Sequence, residues 1–132
     1  MRQKLHFALV LALFVTAGCA NRRVITDPAF QPQIVNQTDS FSLQATDVTG
    51  VNQTVQYTWQ NTGTSANVNQ ATVLTGGSAT ITVLDAANQQ VYTNSLTANG
   101  TFTTSSGTSG NWTIRLVLTN TKGTLNLRLQ KP

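Results

Sequence analysis

Acid–base and nucleophilic catalysis at neutral pH draw on His, Glu, Cys and closely paired carboxylates. This chain of 132 residues has no Glu, one His (His6), one Cys (Cys19) and four Asp: Asp27, Asp39, Asp47 and Asp85. His6 lies in an N-terminal segment with the marks of a removable export signal, so a mature chain would keep no imidazole. A His-based triad and most zinc sites are thereby excluded. Asp27 and Asp39 fall in a stretch without periodic order. Asp47 and Asp85 open the turn-forming runs 47–50 (DVTG) and 85–88 (DAAN), where an Asp side chain ordinarily bonds its own backbone. Lys122 sits in another turn signal, so a Ser–Lys dyad has no sheltered candidate. No loop carries the spaced acids of a calcium site. The expectation is a non-enzymatic protein with no metal and no cofactor.

Recognition chemistry is better supplied. Charged residues make up only 9% of the chain, while Thr numbers 23, Asn 12, Gln 12 and Ser 8, so hydroxyls and amides dominate the polar surface. Tyr57, Trp59, Tyr92 and Trp112 are the only Tyr and Trp residues. Rings of this kind can stack on sugars while amides bind the sugar hydroxyls. Tyr57 and Trp59, however, alternate with Val55, and Trp112 with Ile114 and Leu116, which is how aromatics of a core are spaced. The core is the favoured reading, and a stacking platform of Tyr57 and Trp59 is the alternative. Arg115 and Arg128 are a second candidate binding pair, for reasons of register given below.

The elements that would position these residues are strands. Apolar side chains recur at every second place in Phe41–Ala45, Val55–Trp59, Ala79–Val83, Trp112–Leu118 and Leu125–Leu129, the mark of strands with one buried face. Weaker strands are expected over 66–73, 91–96 and 101–104. Turn signals separate the runs: 47–50, 61–63, Gly76-Gly77, 85–88, Asn99-Gly100, 105–110 and 120–123. Seven or eight short strands without a helical window predict a single antiparallel β-sandwich over 41–132, of immunoglobulin-like or jelly-roll type. If 120–123 is a hairpin loop, Leu118 faces Leu125, Leu116 faces Leu127 and Ile114 faces Leu129 on one side. Arg115 then stands opposite Arg128 on the other. Such a pair either splays into water or clamps a carboxylate or phosphate with its planar forks.

The N-terminus carries an address. Arg2 and Lys4 precede an apolar run from Leu5 to Val15, too short to span a bilayer but of signal-peptide length. The run ends in Val15-Thr16-Ala17-Gly18-Cys19, which resembles the lipobox of bacterial lipoproteins, with Thr16 where that family usually has Leu. The resemblance implies cleavage of residues 1–18, diacylation of the Cys19 sulfur and acylation of its new amino group. Acyl chains of that number make an anchor effectively permanent. Ala20, in place of the Asp that holds lipoproteins in the inner membrane, favours the outer membrane of a Gram-negative host. Residues 19–40, with Pro28 and Pro32, read as a lipidated tether.

The stretches 57–63 (YTWQNTG), 77–85 (GSATITVLD) and 110–116 (GNWTIRL) continuing to 123–130 (GTLNLRLQ) together resemble a group of small bacterial envelope lipoproteins of unknown function. The last also looks like the closing strands of jelly-roll domains appended to secreted proteases. Neither likeness supplies a catalytic or binding residue.

Loss of residues 1–18 would lower the net charge from +4 to +2. Nucleic acid, whose binding needs clustered cations, is therefore not an expected partner. The expectation is a non-catalytic binding or accessory subunit held to the envelope membrane by its lipid. Its partner is an envelope protein or a cell-wall glycan, so a peptidoglycan-binding module and a structural partner in an envelope assembly are both open.

Overall fold

Each strongly alternating run forms strand, and the face it buries is the one its apolar residues mark. The computed structural model describes residues 30–132, all of whose regular structure is antiparallel strand: β1 (Gln33–Gln37), β2 (Ser40–Asn61), β3 (Asn67–Gln70), β4 (Val73–Leu84), β5 (Gln90–Ser95), β6 (Gly100–Thr103) and β7 (Gly110–Gln130). The export signal, Cys19 and Asp27 lie outside the described residues.

Two strands organise the domain. At about 3.3 Å per residue a straight strand as long as β2 would span about 70 Å. Yet the Asp39 amide, just before β2, donates to the Gln60 carbonyl at its far end over 2.9 Å. The Asp39 carboxylate also accepts from the Thr62 amide at 2.7 Å and the Thr62 hydroxyl at 2.8 Å. β2 therefore doubles back on itself. β7 pairs with it almost throughout, from Ser40↔Gln130 to Asn61↔Gly110, and bends with it. The bend runs through three register shifts between Ala45 and Gln53 and through left-handed backbone at Asp47, Gly50, Gly77, Asn120 and Gly123. Pairings of Val48 with Gly123 and of Gly76 with Lys122 bring these positions into line across three strands. Gly77 (φ +69°) is obligatory there, because a Cβ would overlap the Asn120 carbonyl.

The bend divides one seven-stranded sheet into two packed halves. The first part of β2 and the last part of β7 combine with β1, β3 and β6 into a five-stranded half. The rest of β2 and β7 combine with β4 and β5 into a four-stranded half. Phe41, Leu43, Leu125, Leu127 and Leu129 from the first half meet Ile81, Val83, Ile114, Leu116, Trp59 and Trp112 from the second in one buried core. This is an all-β, sandwich-like domain.

Two expectations are corrected. Residues 120–123 are not a hairpin loop, because β7 runs continuously through them; the segments on either side pair with β2 and with β4 or β3, not with each other. Nor does the tether extend to residue 40. Phe30 is buried in the core, and Gln33–Gln37 pairs with Ser40–Gln44 as an edge strand. All five residues of β1 are exposed, so burial left no periodic mark on its sequence.

Candidate functional site

The four Tyr and Trp rings are engaged in the fold. Trp59 and Trp112 are cross-strand partners, wholly buried, with rings edge-to-face at 6.0 Å and 84°. Each indole satisfies its one donor, Trp59 Nε1 on the Gln37 carbonyl at 3.0 Å and Trp112 Nε1 on the Thr108 carbonyl at 2.8 Å. Tyr57 is half-buried against Phe41, with ring centroids 5.5 Å apart, and burial pushes its hydroxyl pKa up. Tyr92 donates to Oε1 of the buried Gln70 at 2.8 Å, while Gln70 Nε2 donates to the Ser95 and Ala98 carbonyls. Trp59 therefore offers no face to a ligand, and no stacking platform of Tyr57 and Trp59 is formed.

Two carboxylates, those of Asp85 and Asp39, are also engaged, whereas Asp47 is exposed. Asp85 Oδ1 accepts from the Ala87 and Gln89 amides, and Oδ2 from the Thr108 amide at 2.7 Å, so it fastens the 105–110 loop to the β4–β5 turn. These hydrogen bonds, the Thr108 amide foremost, hold its carboxyl below the usual Asp range. Asp39 is lowered likewise, chiefly by the Thr62 amide and hydroxyl, with Lys131 adding an ion pair at 3.6 Å. Among the described residues no cluster of three His, Cys, Asp or Glu comes together.

Arg115 and Arg128 are not opposite each other. Arg115 stands between Gln56 and Thr82 on the outer side of the four-stranded half. Arg128 stands between Ser42 and Asn69 on the outer side of the five-stranded half. The two sides face away from each other, so the proposed two-arginine clamp does not exist. Their environments differ as well. Arg115 is half-buried, with an Nε shielded from solvent and without a hydrogen-bond partner among the described residues. Arg128 is exposed, and the only ion pair among the described residues is that of Lys131 with Asp39.

Arg128 is the centre of a regular polar face. Residues directly opposite in paired strands share a side of the sheet. One row across the five strands is therefore Thr101, Asn69, Arg128, Ser42 and Val35. A second is Thr103, Asn67, Gln130, Ser40 and Gln37. A third, shorter row is Asn126, Gln44 and Gln33. With strands about 4.8 Å apart, the full rows are about 19 Å long. Two hollows lie side by side on this face, one of about 480 Å³ towards β3 and β6, the other of about 180 Å³ towards β1. Arg128 and Asn126 line both and form the ridge between them.

The hydrogen-bonding capacity of the face is partly preset. Asn69 Nδ2 donates to the Thr101 hydroxyl at 2.8 Å, which leaves the Asn69 carbonyl oxygen as an outward acceptor. Thr103 donates to Asn67 Oδ1 at 3.2 Å, which leaves the Asn67 amide protons as donors. Asn126, Gln130, Gln44 and Arg128 keep side-chain capacity for a ligand. The alternation in β7 predicted that Asn126, Arg128 and Gln130 would point outward together. Their union with Asn67, Asn69 and Gln44 depended on strand pairing, which no local pattern announces.

No protein-family model matches the chain, and no curated protein matches it either.

Proposed function

We propose that this protein is an exported lipoprotein, anchored through Cys19 to a bacterial envelope membrane, whose folded domain is a non-catalytic binding or accessory subunit. The observation that carries the reading is the open amide-and-hydroxyl face around Arg128, which holds hydrogen-bonding groups in fixed rows on a rigid sheet. The Asp39 and Asp85 carboxylates, by contrast, are tied to backbone amides or to Lys131. The lipobox-like run at 15–19 supports the anchor, and Ala20 supports an outer-membrane address in a host with two membranes. Between Cys19 and the buried Phe30 a fully extended chain reaches at most about 40 Å, so the binding face would work close to the membrane surface.

A second reading is a structural partner in an envelope assembly, and β1 favours it. It is an uncharged edge strand that exposes Ile34 (38%) and Val35 (55%), an invitation to strand addition.

Labelling cells with a fatty-acid analogue tests the anchor. The wild-type chain takes up label and stays with membranes, whereas Cys19→Ser takes up none and leaves them; label retained in the variant refutes the assignment. Recovery from native membranes then separates the roles. A stable protein partner favours the assembly reading, and retention on isolated cell wall favours a glycan.

A further inference from the structure

We propose that the outer face of the five-stranded half binds a linear glycan bearing carboxylates, with Arg128 reading the charge and the flanking amides reading the sugar hydroxyls. This rests on the binding role proposed above and names its ligand class.

The chemistry of the face discriminates among occupants. Its rows hold one cation, so a nucleic acid, which is gripped through many phosphates, finds too few partners. A protein interface is built around a buried apolar or aromatic centre, and here the centre is Arg128 among Asn and Ser. Amides and hydroxyls that both donate and accept suit a ligand dense in hydroxyl groups. Asn67 offers donors and Asn69 an acceptor one row apart, a mixture matched by a sugar's own alternating oxygens and hydroxyl protons.

The charge narrows the class. No acidic residue lies on the three rows, and Arg128 has no carboxylate partner among the described residues. A guanidinium takes a carboxylate with two parallel hydrogen bonds, which a neutral sugar cannot match. The shape points to a chain and not to a single small anion, because a hollow opens on either side of the ridge that Arg128 and Asn126 form. A polymer lying along the row from Thr101 to Val35 fills both hollows and sets an acidic group on the ridge.

The test uses the purified full-length chain in detergent and two probe polymers, polygalacturonate and its fully methyl-esterified form, which differ in whether the C6 carboxyl of each sugar is charged or capped by a methyl group. At low ionic strength the wild-type chain is expected to bind the acid polymer about tenfold more tightly than the ester, the scale of one charge-assisted pair. Arg128→Gln, which keeps an amide in the row, removes that preference and leaves binding to the ester unchanged. Arg115→Gln, on the opposite side, behaves as wild type. Equal affinity of the wild type for both polymers, an equal loss in Arg115→Gln, or binding to neither polymer overturns the proposal. Binding to neither leaves the anchoring and partner-recovery experiments to judge the broader role by themselves.

Discussion

Trp59→Ala probes the joint between the two halves of the sheet. The Trp59 side chain is wholly buried, meets Trp112 edge-on at 6.0 Å and donates to the Gln37 carbonyl, so it ties β2 to β7 and to the end of β1. Deleting a buried large aromatic costs about 3–5 kcal/mol through lost transfer energy and the cavity left behind. The edge-to-face pair, worth about 0.5–1.5 kcal/mol beyond area, places this site at the upper end of that range. A domain of this size holds only about 5–15 kcal/mol in all. At about 4–8 °C per kcal/mol, the melting temperature should fall by roughly 15–40 °C. Urea denaturation followed by far-ultraviolet circular dichroism gives the free energy directly. Trp59→Phe keeps most of the volume but not the indole N–H, and should lose about 1–2 kcal/mol. A melting temperature for Trp59→Ala within a few degrees of wild type would refute the assignment of Trp59 to the core.

Three further outcomes follow from the bend and from the carboxylates. Gly77→Ala forces a Cβ against the Asn120 carbonyl in left-handed backbone and should prevent folding or cost several kcal/mol, whereas Asn120→Gly, relieving a non-glycine residue at φ +45°, should be neutral or stabilising by up to about 1 kcal/mol; both are read by thermal melting. Asp39 and Asp85 have carboxyls held below the unfolded Asp value of about 3.9, so their stabilisation is full above about pH 5 and is lost as pH falls through the lowered folded values. Urea midpoints measured from pH 6 to pH 2 should therefore decline on the acid side, and Asp85→Asn should flatten part of that decline.

The two faces of the strands were legible because burial writes a period of two into the chain. Phe41, Leu43, Ile81, Ile114, Leu116, Leu127 and Leu129 all point into the core as their spacing predicts. The turn signals at 61–63, 85–88, 99–100 and 105–110 do separate strands, whereas those at 47–50, 76–77 and 120–123 were legible as local conformation and misleading as topology. Asp47, Gly50, Gly77, Asn120 and Gly123 do adopt left-handed backbone, but there the strands bend and continue instead of reversing. A positive φ marks a change of direction; which partner the next residues take is decided by contacts far along the chain. The Arg115–Arg128 clamp fell with the hairpin that implied it. β1 escaped notice for the opposite reason, since an edge strand exposed on both sides carries no burial pattern, and Pro28 and Pro32 before it suggested a tether. The amide rows around Arg128 could not be assembled until β3, β6 and β1 were paired with their neighbours.

The proposed function makes the five-stranded face the binding surface of a protein proposed to lie in the cell envelope. Photo-crosslinking in intact cells distinguishes the two outer faces, with a photoreactive residue placed at Asn126 beside Arg128 or at Gln56 on the outer side of the four-stranded half. Both positions are exposed, so neither substitution disturbs the core. A discrete adduct is expected from position 126, lost when Arg128→Gln is added, and none from position 56. An adduct formed equally from both positions, or only from position 56, would overturn the assignment of this face.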